Sequence, residues 1–355
     1  REFEELQKAV NEKLAVSVSA SLQPFQRIGL FEVSATVKPG VDPAVVDKRL
    51  DEIMADYLAN GPTEEEVARA ATQDVAGRIR GLETVGGFGG KAVALAEGKV
   101  FTGDSNFYKR SLNQYASVTA AEVKAAMQQW LGRPAFKVNL VPGERPPYEE
   151  AKGGKPSGKD IPTKKTPRVM PAVAQTPPLD FPTVTHARLS NGVEVHYAQR
   201  TAIPTTQVAL SFDAGFSADA VAGRGLQNLT LSLLEEGAAG KTSQQIAEEE
   251  ESLGAEVSAN GSADRSNVIL GALSANLAPS LDLLRDIVER PDFNAAEVDR
   301  VKTQTLTAIS QAQKEPNSMA ARALPALLYG ENHPYATTAL GQVAAVTGFT
   351  PADLK

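Results

Sequence analysis

The sequence predicts an α+β fold in two tandem blocks, each an antiparallel sheet with helices packed on one face. Three observations predict it: period-two apolar runs open each block, N-capped helical periodicities follow them, and short segments recur at one fixed spacing along the chain. The 355 residues suffice for two or three domains at roughly 100–200 residues each, and a hydrophobic fraction of 42% supplies packed cores. Aromatic residues make up 6%, which together with abundant alanine favours helix-rich layers over an all-β sandwich. With 36 Lys and Arg against 43 Asp and Glu the net charge is −7, a balance unsuited to nucleic acid or anionic membrane as a general partner. No cysteine is present, which removes disulfides, thiolate metal sites and cysteine nucleophiles together. Three histidines, His186, His196 and His333, leave little material for a scheme needing several imidazoles. No apolar run approaches the ~18 residues that span a bilayer.

The first block opens on two alternating runs. Val16, Val18, Ala20 and Leu22 interleave with serines, and Phe31, Val33, Ala35 and Val37 with Glu32, Ser34 and Thr36. One polar and one apolar face predicts an antiparallel pair packed on one side. A helix then starts at the N-cap Asp42 with Pro43 at its first position, and carries Val46, Leu50, Ile53 and Tyr57 at helical spacing. Gly61 and Pro62 close it. Thr63 with Glu66, and Thr119 with Glu122, read as capping boxes opening two further helices. The second of these passes Val123, Met127 and Trp130 and ends at Gly132; Phe136, Val138 and Leu140 then predict a closing strand.

Ten of the 22 prolines fall between Pro142 and Pro182, interleaved with Lys152, Lys155, Lys159, Lys164 and Lys165 and several glycines. Such a stretch can neither bury apolar surface nor complete a ladder, so residues 143–185 read as an extended linker whose lysines keep it solvated. It separates a block at 1–142 from one at 186–355. The second block repeats the plan. Strands are expected near 193–199, 206–213, 255–260 and 266–273, and helices near 222–235, 243–253, 277–289, 294–314 and 317–329.

The repeat has a definite register. Glu66-Val67-x-Arg69-x-x-Thr72-Gln73 returns as Glu297-Val298-x-Arg300-x-x-Thr303-Gln304, an offset of 297 − 66 = 231. Val118-Thr119-Ala120-Ala121-Glu122-Val123 resembles Phe349-Thr350-Pro351-Ala352-Asp353-Leu354 at 350 − 119 = 231, and Leu50-Asp51 matches Leu281-Asp282 in the same register. Three ordered matches at one offset predict duplicated domains. Each copy is incomplete relative to the other, so a piece of a longer protein is expected.

His186-Ala-Arg-Leu-Ser-Asn191-Gly192-Val193-Glu-Val-His196, Phe212-x-Ala214-Gly215, Gly225-Leu226 and Gly237 together resemble the opening of a unit of the inverzincin zinc peptidases, the pitrilysin, insulysin and mitochondrial processing peptidase relatives. Ser19-Ala20, Leu30-Phe31 and Ser34 to Gly40 similarly resemble the second unit of such proteins. The resemblance implies four homologous units of the LuxS/MPP-like metallohydrolase fold, paired into two bowl-shaped halves around a peptide chamber. It implies zinc in the first unit, on H-x-x-E-H plus a distant Glu, with the motif Glu as general base on metal-bound water. On that pattern residues 1–142 are the rear of the second unit and 186–355 most of a degenerate third unit.

Aligned on Gly225 and Gly237, the motif positions hold Asn228, Leu231 and Ser232, and the distant Glu position, 308 − 232 = 76 residues on, holds Ala308. The resemblance therefore implies no catalytic residue and no metal in this chain, with zinc and general base elsewhere in the parent protein. Peptide is the expected substrate, and the remaining units of the same protein or a homologous subunit are the expected partners; the alternative is a non-catalytic partner subunit or scaffold of the same fold. The periplasm is the expected compartment, with the cytoplasm as alternative. If the first strand is an edge, Ser17, Ser19 and Ser21 are where substrate would touch this chain, through main-chain addition of an extended peptide.

The remaining candidates have plainer readings. Glu235-Glu236 and Glu248 to Glu251 read as solvated helix faces, and His333-Pro334-Tyr335 as a loop whose single histidine lacks ligand partners. His186 and His196 read as surface residues. Gly86-Gly87-Phe88-Gly89-Gly90 lacks the Lys-Ser/Thr ending of a phosphate loop and reads as a helix interruption.

Overall fold

A computed structural model describes residues 14–25, 27–141, 143, 172, 175, 178 and 181–355. Most of the expected linker, 143–185, therefore lies outside the described residues. The fold is α+β, mixing helices with small antiparallel sheets. It divides into two units: residues up to Arg133 together with Ala202–Lys355, and Pro134–Thr201.

In the larger unit, β1 (Ala15–Pro24) and β2 (Gly29–Val37) form a two-stranded antiparallel sheet with a register shift between Ala15 and Ser17. Of the expected inward set Val16, Val18, Ala20 and Leu22 only Val18 is buried: Val16 and Leu22 are 58% and 66% exposed, Ala20 is exposed too, and at the register shift Ala15 turns inward instead. Ala15 and Val18 turn in against Ile53 of α1 (Pro43–Asn60), with Val33, Ala35 and Leu50 beside them, while Ser17, Ser19 and Ser21 turn out. Asp42 caps α1 by accepting from the Ala44 amide at 2.9 Å. Then come α2 (Glu64–Gly81), α3 (Lys91–Thr102), α4 (Phe107–Ser117) and α5 (Ala120–Trp130). The Thr63–Glu66 and Thr119–Glu122 capping boxes are both closed, so each helix starts where its local chemistry dictates.

The rest of this unit is built around β5 (Thr205–Phe212), β8 (Glu256–Gly261) and β9 (Ser266–Leu273), ordered β5-β9-β8 and antiparallel throughout. The central β9 alternates strictly: Ser266, Val268, Leu270 and Ala272 are buried. Against that face pack α6 (Leu226–Leu233) and α8 (Leu277–Glu289). A short β6–β7 ribbon, Gly237–Ala238 with Lys241–Thr242, leads into α7 (Ser243–Leu253). Next come α9 (Ala295–Ala312), α10 (Pro316–Tyr329), α11 (Val343–Gly348) and α12 (Pro351–Leu354). Leu229, Leu233, Ile246, Leu270, Leu283, Ile287, Ile309 and Val346 are at most 2% exposed and form the main core.

The two sequence blocks meet along α2 and α7, within one unit. Gly254 ends α7 in the left-handed conformation, φ 60°. A Cβ there would sit 2.9 Å from Cβ of the fully buried Ala76 and 3.3 Å from Cγ2 of Thr72, so glycine serves both the turn and the close approach. Arg80 on α2 donates to the Gly254 carbonyl at 2.9 Å, and Arg69 Nε lies 3.7 Å from Glu251.

In the smaller unit β3 (Val184–Arg188) and β4 (Glu194–Ala198) form a hairpin that registers His186 opposite His196. The strand expected at Phe136–Leu140 is not there. Phe136, Val138 and Leu140 are 93%, 73% and 96% exposed and belong to no sheet. Alternating apolar residues make a strand only where a neighbouring strand accepts the backbone hydrogen bonds, and none does so here among the described residues.

Candidate functional site

The site begins where β5 runs out. Two single 3-10 turns, Phe216–Ala218 and Val221–Gly223, lead to Gly225 at φ 107°, and α6 starts at the next residue. Glycine is required: a Cβ would lie 3.1 Å from Cα of Gly341 and 3.2 Å from the Leu340 carbonyl. Asp219 caps α6 from a distance, accepting from the Gly225 amide at 2.9 Å and the Gln227 amide at 3.2 Å. Burial raises the Asp219 carboxyl above its ordinary range, and those backbone donors oppose the rise. Arg224, 3% exposed, donates to the carbonyls of Glu331, His333 and Ala336 at 2.9, 2.9 and 3.3 Å, pinning the 330–336 loop beside the helix start.

The four residues singled out from the sequence, three on α6 and one on α9, divide by chemistry. Leu231 packs against the main core and lines a cleft of about 280 Å³ with Leu226, Gln227, Thr230 and Asp219. An alkyl group there can neither take a proton nor bind a metal. Asn228 is half-buried, and Ser232 is exposed with its hydroxyl donating 2.8 Å back to the Asn228 carbonyl. Ala308 lies on α9, which packs against α6. Helices α6 and α9 are in contact, but an amide, an alkyl, a committed hydroxyl and a methyl do not fit zinc. Among the described residues no three His, Asp or Glu side chains are grouped to hold a metal ion. Ser17, Ser19 and Ser21 sit apart from this helix, on the outer face of β1, where Ser19 Oγ lies 2.9 Å from Ser34 Oγ.

Two glutamates depart from the solvated-face reading. Burial pushes the Glu235 carboxyl up to about 7, with Glu236 and Glu256 adding repulsion, and its Oε1 is buried without a hydrogen-bond partner. Burial likewise raises Glu250 to about 7, although it accepts from the Val257 amide at 2.7 Å. Their neighbours are engaged differently: Glu236 pairs with Arg300 at 2.5 Å and Glu249 with Lys241 at 2.5 Å. Helical spacing places Glu248 to Glu251 around an arc, and the turn into β8 folds over one side of it, which composition could not reveal. His186 and His196 are exposed and meet edge to face at 4.8 Å. His333 stacks on Tyr329 at 5.0 Å, and Tyr335 donates 2.6 Å to Asp264. Sequence reasoning passed over Asp219 and Arg224; the signal for both is their position just before the Gly225-Leu226 helix start, where orphan amides and a packed loop need partners.

The sequence profile described as insulinase, peptidase family M16, matches residues 194–340. Two solved structures are similar. One is a peptidase M16 inactive domain from Pseudomonas fluorescens, 32% identical, with 48% of this chain and 42% of that chain covered and a TM-score of 0.47. The other is a protease from Helicobacter pylori, 17% identical, covering 49% and 42% at a TM-score of 0.46. The matched stretch spans less than half the length of either. No curated protein gives a significant match.

Proposed function

We propose that this chain, which belongs through residues 194–340 to the insulinase family of peptidases (family M16), is a segment that holds peptide without cutting it. The observation that carries the reading is α6. It starts after Gly225, ends before Gly237 and packs against α9; aligned on those glycines with the family's zinc motif, it carries Asn228, Leu231 and Ser232 where ligands and base would stand. Leu231 supports it most, because a leucine packed against the core is not a disabled base but a structural residue.

In this reading the chain forms chamber wall and the connection between halves, and zinc and general base are supplied by other units of the same protein or by a homologous subunit. An exported, periplasmic peptidase is the setting we propose. Substrate contact falls on β1, whose serine face and sheet-edge position suit main-chain addition of an extended peptide.

The test is metal content and hydrolysis. The chain incubated with zinc chloride and desalted should carry no stoichiometric zinc and should leave a quenched fluorogenic peptide intact. Stoichiometric zinc, or cleavage that a chelator abolishes, overturns the reading. Replacing Asn228→His, Leu231→Glu, Ser232→His and Ala308→Glu together should create zinc binding on the α6–α9 pair if the proposed alignment is right.

A further inference from the structure

A cavity of about 660 Å³ opens beside α2, inside the roughly 300–1,000 Å³ range of ligand pockets. Its floor is one stripe of α2, Ala70, Gln73, Gly77 and Gly81 on successive turns, and the absence of side-chain bulk at three of these positions is what makes the room. Leu82, Val93 and Leu112 supply apolar wall. The Gln73 Oε1 acceptor is buried and has no donor, so the floor lacks an N–H that a ligand could bring.

The rim is acidic. Asp74, Glu97 and Glu251 face a single cation, Arg78. Arg78 is already committed, donating 2.9 Å to Asp74 and stacking 4.3 Å over the Tyr115 ring. Arg69 takes a share of Glu251, at 3.7 Å, and Glu97 stands exposed. At the mouth Phe88 is fully exposed, 107%, on the glycine-rich loop. That loop is tied down: the Lys91 and Ala92 amides donate to the Thr84 and Val85 carbonyls, and Gly90 is packed so closely on Gly86 and Thr84 that no side chain fits. The exposed phenyl ring thus stands at the mouth, next to an apolar floor and an acidic rim, where a ligand can cover it.

We infer that this cavity docks an extended peptide segment carrying a lysine or arginine beside a large aliphatic side chain. The aliphatic group and the methylene stem of the cation lie along Leu82, Val93, Leu112 and Phe88, and the cationic head reaches Glu97 and Glu251. A peptide amide donates to Gln73. The inference shares with the proposed function the premise that the chain holds peptide, but it places the peptide over α2 and not on β1, so the Phe88 and Glu97 variants test the α2 site alone.

The experiment is fluorescence anisotropy on the full 355-residue chain with a fluorescein-labelled Ala-Leu-Lys-Leu-Ala-Leu-Lys-Ala amide, and with the same peptide carrying Glu in place of both lysines. The lysine peptide should bind saturably and the glutamate peptide should not. Phe88→Ala should weaken binding about fivefold by removing the apolar cover, and Glu97→Lys about tenfold by reversing the rim charge. Both side chains are exposed, so both variants fold. No saturable binding, equal affinity for the two peptides, or binding that both variants leave unchanged overturns the inference.

Discussion

Helices α2 and α9 are both 18 residues long, and their ends keep the repeat register, 295 − 64 = 231 and 312 − 81 = 231. They share Glu-Val-x-Arg-x-x-Thr-Gln, and in both the threonine hydroxyl donates to the carbonyl four residues back. Their situations differ. In α9, Val298, Val301 and Ile309 are buried in the main core, while its N-cap Asn294 makes no side-chain capping bond. In α2 only Val67 and Ala76 are buried, but a complete capping box starts the helix. One sequence signature is stabilised in two ways: α9 by core burial, α2 by local capping and a close small-residue contact with α7. The same position also serves two ends, for Ala308 in α9 is matched by Gly77 in α2, since 308 − 77 = 231, and Gly77 floors the cavity.

The difference is broken most severely from the α9 side. Ile309→Ala removes a side chain with no exposure from the main core and should cost about 2–5 kcal/mol, read as a lower denaturation midpoint at unchanged slope. On α2 the sensitive position is the small one. Ala76→Leu must displace Gly254 and should cost about 1–3 kcal/mol. If Ala76→Leu is neutral, the α2–α7 contact is not what fixes α2.

Much of this was legible because it is local. The capping boxes at Thr63 and Thr119 are both closed, since each needs only its own first turn. Strand β9 and helix α7 fall where periodicity places them, because one face of each is buried. What was not legible is set by partners far along the chain: the missing strand at Phe136–Leu140, the burial of Glu235 and Glu250, the three carbonyls held by Arg224, and the cavity over α2. A sequence reports which face of an element is apolar, not which distant element covers it.

The buried glutamates give a pH test of that covered region. Folded, both carboxyls keep their protons up to about pH 7, whereas the ordinary value for the unfolded chain is 4.5. Between those values the unfolded state gives up protons that the folded state retains, so the contribution of these two groups to stability is fully present below 4.5 and is lost as pH rises through about 7. Glu235→Gln should therefore raise stability at pH 8 by about 1–2 kcal/mol, discounted for partial exposure, and change little at acidic pH where the wild-type carboxyl is already neutral. Thermal melts of both proteins at the two pH values decide it; an equal shift at both would mean the carboxyl is not buried as described.

The smallest effect is the most direct test of the contrast between the two helices. Thr63→Ala removes the acceptor for the Glu66 amide, at 3.2 Å, and the hydroxyl that Glu66 grips at 2.9 Å, so α2 should lose about 1 kcal/mol. Asn294→Ala, at the matched end of α9, removes a side chain that caps nothing and should fall within about 0.5 kcal/mol of wild type. Hydrogen exchange adds the spatial reading. Thr63→Ala should speed exchange in the first turns of α2, because so little of that helix is held by core burial, while α9 stays protected by Val298 and Val301. Equal costs for the two substitutions would show that capping does not distinguish the copies, and the difference between α2 and α9 would then rest on the Ala76–Gly254 contact alone.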